Sequence, residues 1–312
     1  MRNTCLNMVH ELAKQDPRVV YIGSDPGPGT LDKMKAEFPE RFFIEGISEQ
    51  NVIGMAAGLA MEGYIPYVNT IATFLTRRCL EQVAIDVCLH RLPVRLIANG
   101  GGMVYAPLGP THTAIEDVAL MRALPEMAIV APTDAEDMRT FMPSTLDWPG
   151  PIYIRLAKGK DPLVPNPSGQ FEIGKGRSYG EPAPVMIVAT GVMVHAALEA
   201  AQTLAGHGVA ASVLSLPTIA PLDAEWLARM TCQARLVVSA EEHVRNGGLG
   251  SAVLETLADL DRPLPRFLRL GLPLRFRHQY GSQARHLAEE GLNAGGIVNA
   301  VMQEMATGFS GI

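Results

Sequence analysis

Glu49 stands in Glu45-Gly-Ile-Ser-Glu49-Gln50, where a turn runs into a helical segment rich in small residues (Gly54, Ala56, Ala57, Gly58, Ala60). A carboxylate in a first helical turn is stabilised by the helix macrodipole. The same group, partly buried, can pass a proton back and forth. Capping and proton transfer are both open for Glu49 on these residues alone. His112 closes a glycine-rich stretch in Gly109-Pro-Thr-His112. On a loop at the C-terminal end of a strand it is a general acid or base, or simply one of eight histidines at the surface. Phe74 follows Thr73 in a segment suited to a helix and is either core or a stacking platform. Ser24–Thr30 (SDPGPGT) has the glycines of a phosphate cradle. It lacks the G-x-G-x-x-G order, and its two prolines remove backbone donors, so a tight strand-to-helix turn is expected there.

These segments need a frame that brings them together. Apolar, β-branched runs at Arg18–Gly23, Tyr64–Thr70, Val94–Asn99, Ala128–Ala131 and Ile152–Leu156 read as buried strands. Helical patterns lie between them at Leu31–Phe38, Gln50–Glu62, Leu75–His90, Ile115–Ala123 and Ala135–Leu146. This alternation predicts a mainly parallel sheet covered on both faces. A stretch rich in Gly, Pro and charge follows. A second series then begins, with strands at Val185–Ala189, Ala211–Leu216, Leu236–Ser239 and Phe267–Leu270, and helices at Val194–His207, Ala224–Met230, Leu249–Leu260 and Asn293–Met305. The expected fold class is α/β, two doubly wound domains over 1–160 and 185–312, with a linker at 161–184. In such folds ligands sit beyond the C-terminal ends of the strands. That places Ser24–Thr30, Gly46–Gln50 and Asn99–Thr113 at the site.

Composition narrows the function. Hydrophobic residues at 47% and charged residues at 19% suit a packed globular chain. A net charge of −6 argues against nucleic acid as the partner. Leu6, Val9, Leu12 and Ala13 recur at helical spacing with charges between them, unlike a secretory leader. The apolar runs are too short for a membrane span, so a cytoplasmic protein is expected. Cys5, Cys79, Cys88 and Cys232 form no Cys-x-x-Cys pair and show no zinc-ligand spacing, so no metal site is expected within the chain.

Taken in order, several segments resemble the transketolase-like thiamine-diphosphate enzymes, in their pyrimidine-binding and C-terminal domains. They are Gly23-Ser-Asp25, Gly46-Ile-Ser-Glu-Gln50, Thr73-Phe74, Gly109-Pro-Thr-His112, Ala119-Leu-Met-Arg-Ala-Leu-Pro125, Ile152-Tyr-Ile-Arg-Leu156 and Glu241-Glu-His-Val with Gly247-Gly-Leu-Gly250. The resemblance covers nearly the whole chain. It implies that Glu49 hydrogen-bonds N1′ of the cofactor's aminopyrimidine and drives deprotonation of the thiazolium C2, which then attacks a carbonyl. It also implies that Phe74 stacks on the pyrimidine, that Asp25 lines the same pocket, and that His112 contacts the substrate or the adduct. The family's diphosphate-binding motif, Gly-Asp-Gly…Asn, has no match here. The resemblance therefore implies the second subunit of a split enzyme. A separate diphosphate-binding subunit would hold Mg²⁺, in an α2β2 assembly with homodimer contacts.

The sequence departs from the family around the substrate. Leu108 replaces an acidic residue that contacts a sugar hydroxyl. Gly100 falls where transketolases often have a histidine, and Ile71 and Arg77 fall where aromatics are common. Lys158 stands where an arginine often binds the substrate phosphate, and a lysine lacks the guanidinium fork. A site built for hydroxyls discriminates strongly, so a non-standard ketose or oxo-acid substrate is expected for this ketol or acyl transfer. Three readings compete: the β subunit of a 2-oxoacid dehydrogenase, a deoxyxylulose-phosphate-synthase-like condensation, and a non-catalytic scaffold.

Overall fold

The computed structural model describes residues 1–24, 31–157, 159, 161–165, 170–260 and 262–308, with no side-chain detail for 307 and 308. Within them lie two sheets, mostly parallel and flanked by helices. The first has seven strands: β1 (Val19–Gly23), β2 (Phe42–Ile44), β3 (Ile65–Ile71), β4 (Arg95–Asn99), β5 (Ala128–Val130), β6 (Ile152–Leu156) and β10 (Thr218–Ala220). The second has five: β7 (Arg177–Tyr179), β8 (Val185–Ala189), β9 (Ala211–Ser215), β11 (Leu236–Val244) and β12 (Arg266–Leu272). Their orders are β10-β5-β6-β4-β3-β1-β2 and β12-β11-β8-β9-β7. All neighbours run parallel except β10 against β5 and β7 against β9.

Alternate residues of each central strand enter different cores, as a period of two requires. Ile97, Ile152 and Ile154 pack with the helix Arg2–Gln15. Leu96, Ala98 and Tyr153 face the opposite way and join a cluster that also holds Met186, Val188, Leu214 and Val237 of the second sheet. That shared apolar layer fastens the two halves together. Because both faces of the strands are covered, the strands read as unbroken apolar runs rather than alternating ones.

The nine expected strands are all present. The three without a sequence signal, β2, β7 and β10, are three-residue strands at sheet edges. Arg177–Tyr179 gives the stretch 161–184 a strand of its own, and Thr218–Ala220 crosses from the second series to the edge of the first sheet. The helix expected over Leu75–His90 is broken into Ala72–Thr76, Leu80–Gln82 and a π-helical turn at Val83–Cys88. The break falls at Arg77 and Arg78, whose side chains pair with different carboxylates, Glu116 and Glu49. A helix at Gln283–Glu289 has no counterpart in the sequence reading. No helix among the described residues is long and apolar enough to cross a membrane.

Candidate active site

Glu49 is the first residue of the helix Glu49–Met61 and is 2% exposed. Ser48 precedes it, but the Ser48 hydroxyl donates back to the Glu45 carbonyl (2.6 Å) and leaves the helix end uncapped by its side chain. Among the described residues, the hydrogen-bond partner of the Glu49 carboxylate is Arg78. The carboxylate is thus turned toward the break after Thr76 and not toward its own first turn.

Arg78 connects this group to the next. Its guanidinium lies 4.2 Å over the Phe74 ring. Phe74 belongs to the helix Ala72–Thr76, and Arg78 to the turn that follows it. The far side of Phe74 meets His112 edge-on, with ring centroids 5.4 Å apart at 68°. Glu49, Arg78, Phe74 and His112 therefore form one continuous row from a buried carboxylate to a half-buried imidazole. The His112 ring nitrogen Nδ1 shares a hydrogen bond with the Thr111 hydroxyl (2.8 Å). Three of the four were singled out from sequence. Arg78 was not, because its place in the turn after Thr76 is a tertiary feature.

The loop carrying His112 is held from two sides. Arg77 pairs with Glu116 and donates to the carbonyls of Pro110 (3.0 Å) and Thr113 (2.8 Å), which flank the histidine. At the loop's base, Gly102 and Ala114 exchange backbone hydrogen bonds (2.8 and 3.0 Å). Below the site, polar side chains cover the C-terminal ends of β1, β3 and β4. Asn99 donates to Asn69 (2.6 Å), which donates to the Tyr21 hydroxyl (2.8 Å). The Asn99 Oδ1 and Thr73 Oγ1 atoms are buried without a partner.

The remaining expected site residues are more scattered. Gly100 has φ +77°, and the Tyr105 ring fills the space that a side chain at 100 would take. The position read as a missing histidine thus has an aromatic neighbour from within the same loop. Leu108 is 51% exposed in the short turn Ala106–Leu108. Asp25 and Lys158 lie outside the described residues.

Behind the site is a buried polar cluster that joins both halves. Asp117 accepts from Arg155 (2.7 and 3.1 Å) and from the Tyr153 hydroxyl (2.9 Å). Burial acts to raise the Asp117 carboxyl, but the Arg155 charge and hydrogen bonds outweigh it and hold it below its ordinary value. His243 is lowered by burial; its Nδ1 lies 2.6 Å from the Val244 carbonyl and its Nε2 accepts from the Ala119 N–H (3.3 Å), an arrangement that suits a neutral ring. Glu241 accepts from the N–H groups of Leu249 (2.6 Å) and Gly250 (2.9 Å), at the start of the helix Leu249–Ala258. Burial pushes it up to about 7, against the pull of those donors.

This shift has a stability consequence. A carboxyl raised on folding stabilises the fold below its unfolded value, and that contribution is lost as pH rises through the folded one. For Glu241 the window runs from 4.5, its ordinary value, to about 7. Glu241→Gln cannot ionise, so its melting temperature is expected to fall less than the wild type's between pH 4.5 and about 7. Thermal unfolding across that range checks it; parallel curves would contradict it.

Comparison with known proteins matches both halves of the chain. The model of the transketolase pyrimidine-binding domain matches residues 1–162, and that of the transketolase C-terminal domain matches 174–297. A 1-deoxy-D-xylulose-5-phosphate synthase of Synechococcus sp. (strain JA-2-3B'a(2-13)) is 38% identical over 296 residues, 93% of this chain but 45% of its own length. The chain thus spans about half the length of such synthases. The 6-deoxy-6-sulfo-D-fructose transketolase subunit SqwH of Clostridium sp. (strain MSTE9) is 34% identical and is matched over 92% of both chains. Among solved structures, a split gene transketolase described as an inactive beta4 tetramer superposes with a TM-score of 0.86 at 37% identity, covering 97% of this chain and 96% of that one. A transketolase from Leishmania mexicana, at 20% identity and a TM-score of 0.78, shares the fold.

Proposed function

The chain belongs to the transketolase family, and on that premise we propose that it is the pyrimidine-binding subunit of a split thiamine-diphosphate transferase, with Glu49 as its proton-transfer group. The row Glu49–Arg78–Phe74–His112 carries this reading. Glu49 and Phe74 already hold one planar hydrogen-bond donor between them, the Arg78 guanidinium. An aminopyrimidine is also flat, and its N1′ would accept from the protonated Glu49 carboxyl or, carrying the proton itself, donate to the carboxylate, so the same side chain and ring face fit it once Arg78 swings toward solvent. Arg78 is 39% exposed and has room to do so.

When bound, thiamine diphosphate supplies a nucleophilic carbon that attacks carbonyl groups. Glu49 would hold the pyrimidine edge and move a proton at N1′. Phe74 would support the ring, and Asp25 belongs to the same pocket in this reading. His112, at the open end of the row, would exchange a proton with the substrate carbonyl or hydroxyl. The diphosphate and Mg²⁺ would be held by a separate subunit in an α2β2 complex. Exposed apolar side chains along the helix that Glu49 begins and on the turn packed against it support a docked chain: Ile47 (80% exposed), Met61, Ile85 and Leu89 lie exposed, and Gly54 and Gly58 have open space above them. The likeness to SqwH, named as a transketolase subunit, and to a split gene transketolase supports the split-enzyme reading.

Leu108 and Gly100 take away two polar contacts with a sugar, and Lys158 replaces a guanidinium fork, so a donor other than the common ketose phosphates fits better. A second reading, condensation of the deoxyxylulose-phosphate-synthase type, draws on the 38% identity to such synthases. Reconstitution with a diphosphate-binding subunit separates these. The pair is expected to turn over, and each chain alone to be inactive. Full activity with standard ketose phosphates would sink the altered-substrate claim, and pyruvate consumption with an aldehyde acceptor would favour the second reading. Turnover by this chain alone would end the split-enzyme proposal.

A further inference from the structure

The second half of the chain meets the His112 loop at its tip, where the Tyr280 ring lies against Gly109, and at its base, where Glu242 enters. Glu242, near the C-terminal end of β11, is 2% exposed. Its Oε1 accepts the Met103 N–H at 2.6 Å, and Gln283 Nε2 donates to both carboxylate oxygens (3.0 and 2.9 Å). The contact is close enough to dictate the loop's sequence. Gly102 has φ +68°, and a Cβ there would stand 2.6 Å from the Glu242 carboxylate. Gly101 is restricted likewise by Arg155, at 2.6 Å. Arg155 in turn donates to the carbonyls of Glu242 (3.0 Å) and Ala114 (3.3 Å), and Val244 N–H donates to the Ile115 carbonyl (2.8 Å). Both strands of the loop's base, 102–103 and 114–115, are therefore tied to β11. His112 lies two residues from the Ala114 tie.

We propose that Glu242 is a positioning residue for His112: its carboxylate, set by Gln283 of the same half, fixes the base of the loop that carries the histidine. The C-terminal half then has a defined task at the site without touching substrate or cofactor. The Glu242 side chain is the acceptor for a buried N–H, and its loss leaves Met103 N–H without that partner. Glu242→Gln keeps the size and one acceptor oxygen for Met103. Glu242→Ala removes both. This inference rests on the role given to His112 above, so its test has an arm that needs neither cofactor nor partner.

Amide hydrogen exchange on the chain alone reads the tie directly, since Met103 N–H is the donor. In Glu242→Ala, exchange over 100–114 is expected to rise about tenfold, the scale of one lost buried hydrogen bond, while 49–61 and 236–240 stay protected. Glu242→Gln should restore most of the protection. Gly102→Ala attacks the same contact from the loop side and should loosen the same peptide. In the assembled enzyme, Glu242→Ala should lower kcat and leave the KM for thiamine diphosphate unchanged, with rescue by Glu242→Gln. Wild-type exchange over 100–114 in Glu242→Ala, or loosening spread evenly over the chain in both variants, overturns the proposal. Full activity of His112→Ala would instead sink the reading of the site, with the exchange result still deciding whether Glu242 holds the loop.

Discussion

Glu49→Gln is expected to lower kcat of the assembled enzyme by about 10²–10⁴-fold, the usual worth of a positioned proton-transfer group. The substitution keeps the shape of the side chain and its place at the start of the helix Glu49–Met61. It removes only the ability to take up and release a proton at that point. The folded chain should tolerate it, because the partner left behind, Arg78, is 39% exposed and can be hydrated. Cofactor binding should weaken far less than turnover, since the amide still offers a hydrogen-bonding edge beside Phe74. Steady-state kinetics, thiamine diphosphate titration and a thermal melt on the same variant separate these effects. Unchanged activity would leave the non-catalytic scaffold as the surviving reading. Loss of activity matched by an equal loss of stability would mean that Glu49 is structural.

Asp117→Ala is expected to be the most damaging substitution for stability, by about 3–5 kcal/mol, the cost of removing one partner from a buried ion pair. Asp117 is fully buried and Arg155 is 11% exposed, so the orphaned guanidinium cannot reach water without moving the strand that carries it. The Tyr153 hydroxyl loses its acceptor in the same step. The cause is the unpaired charge rather than the missing volume. Asp117→Leu combined with Arg155→Met should therefore recover much of the loss, as apolar replacements of buried pairs often do. Denaturant midpoints for single and double variants check this. Equal destabilisation by both would show that shape, not charge, governs the cluster. The double variant should still lose activity, because Arg155 also ties Ala114 and Glu242 at the base of the His112 loop.

The parts of this molecule legible in the sequence share a physical property: each is specified by neighbours along the chain. Buried parallel strands are covered on both faces, so β1, β3, β4, β6 and β8 appear as apolar runs whatever surrounds them. Glu49 and His112 are marked by turn residues that must accompany them. The edge strands β2, β7 and β10 are short and bury less, so their pairing comes from partners far off in sequence. The break between Thr76 and Leu80 carries Arg77 and Arg78, whose partners Glu116 and Glu49 lie far off in sequence, and helical periodicity does not record such contacts.

The sequence by itself determined the fold class and marked Glu49, Phe74 and His112 as candidates, because hydrophobic period and turn composition are local. Only the tertiary structure decided how those residues combine. It put Arg78 between Glu49 and Phe74, laid Tyr105 over Gly100, and brought Glu242 from β11 to the loop of His112. Those contacts depend on how two sheets pack on a shared apolar layer. Packing of that kind is set by the shapes of many side chains at once, and no single stretch of sequence records it.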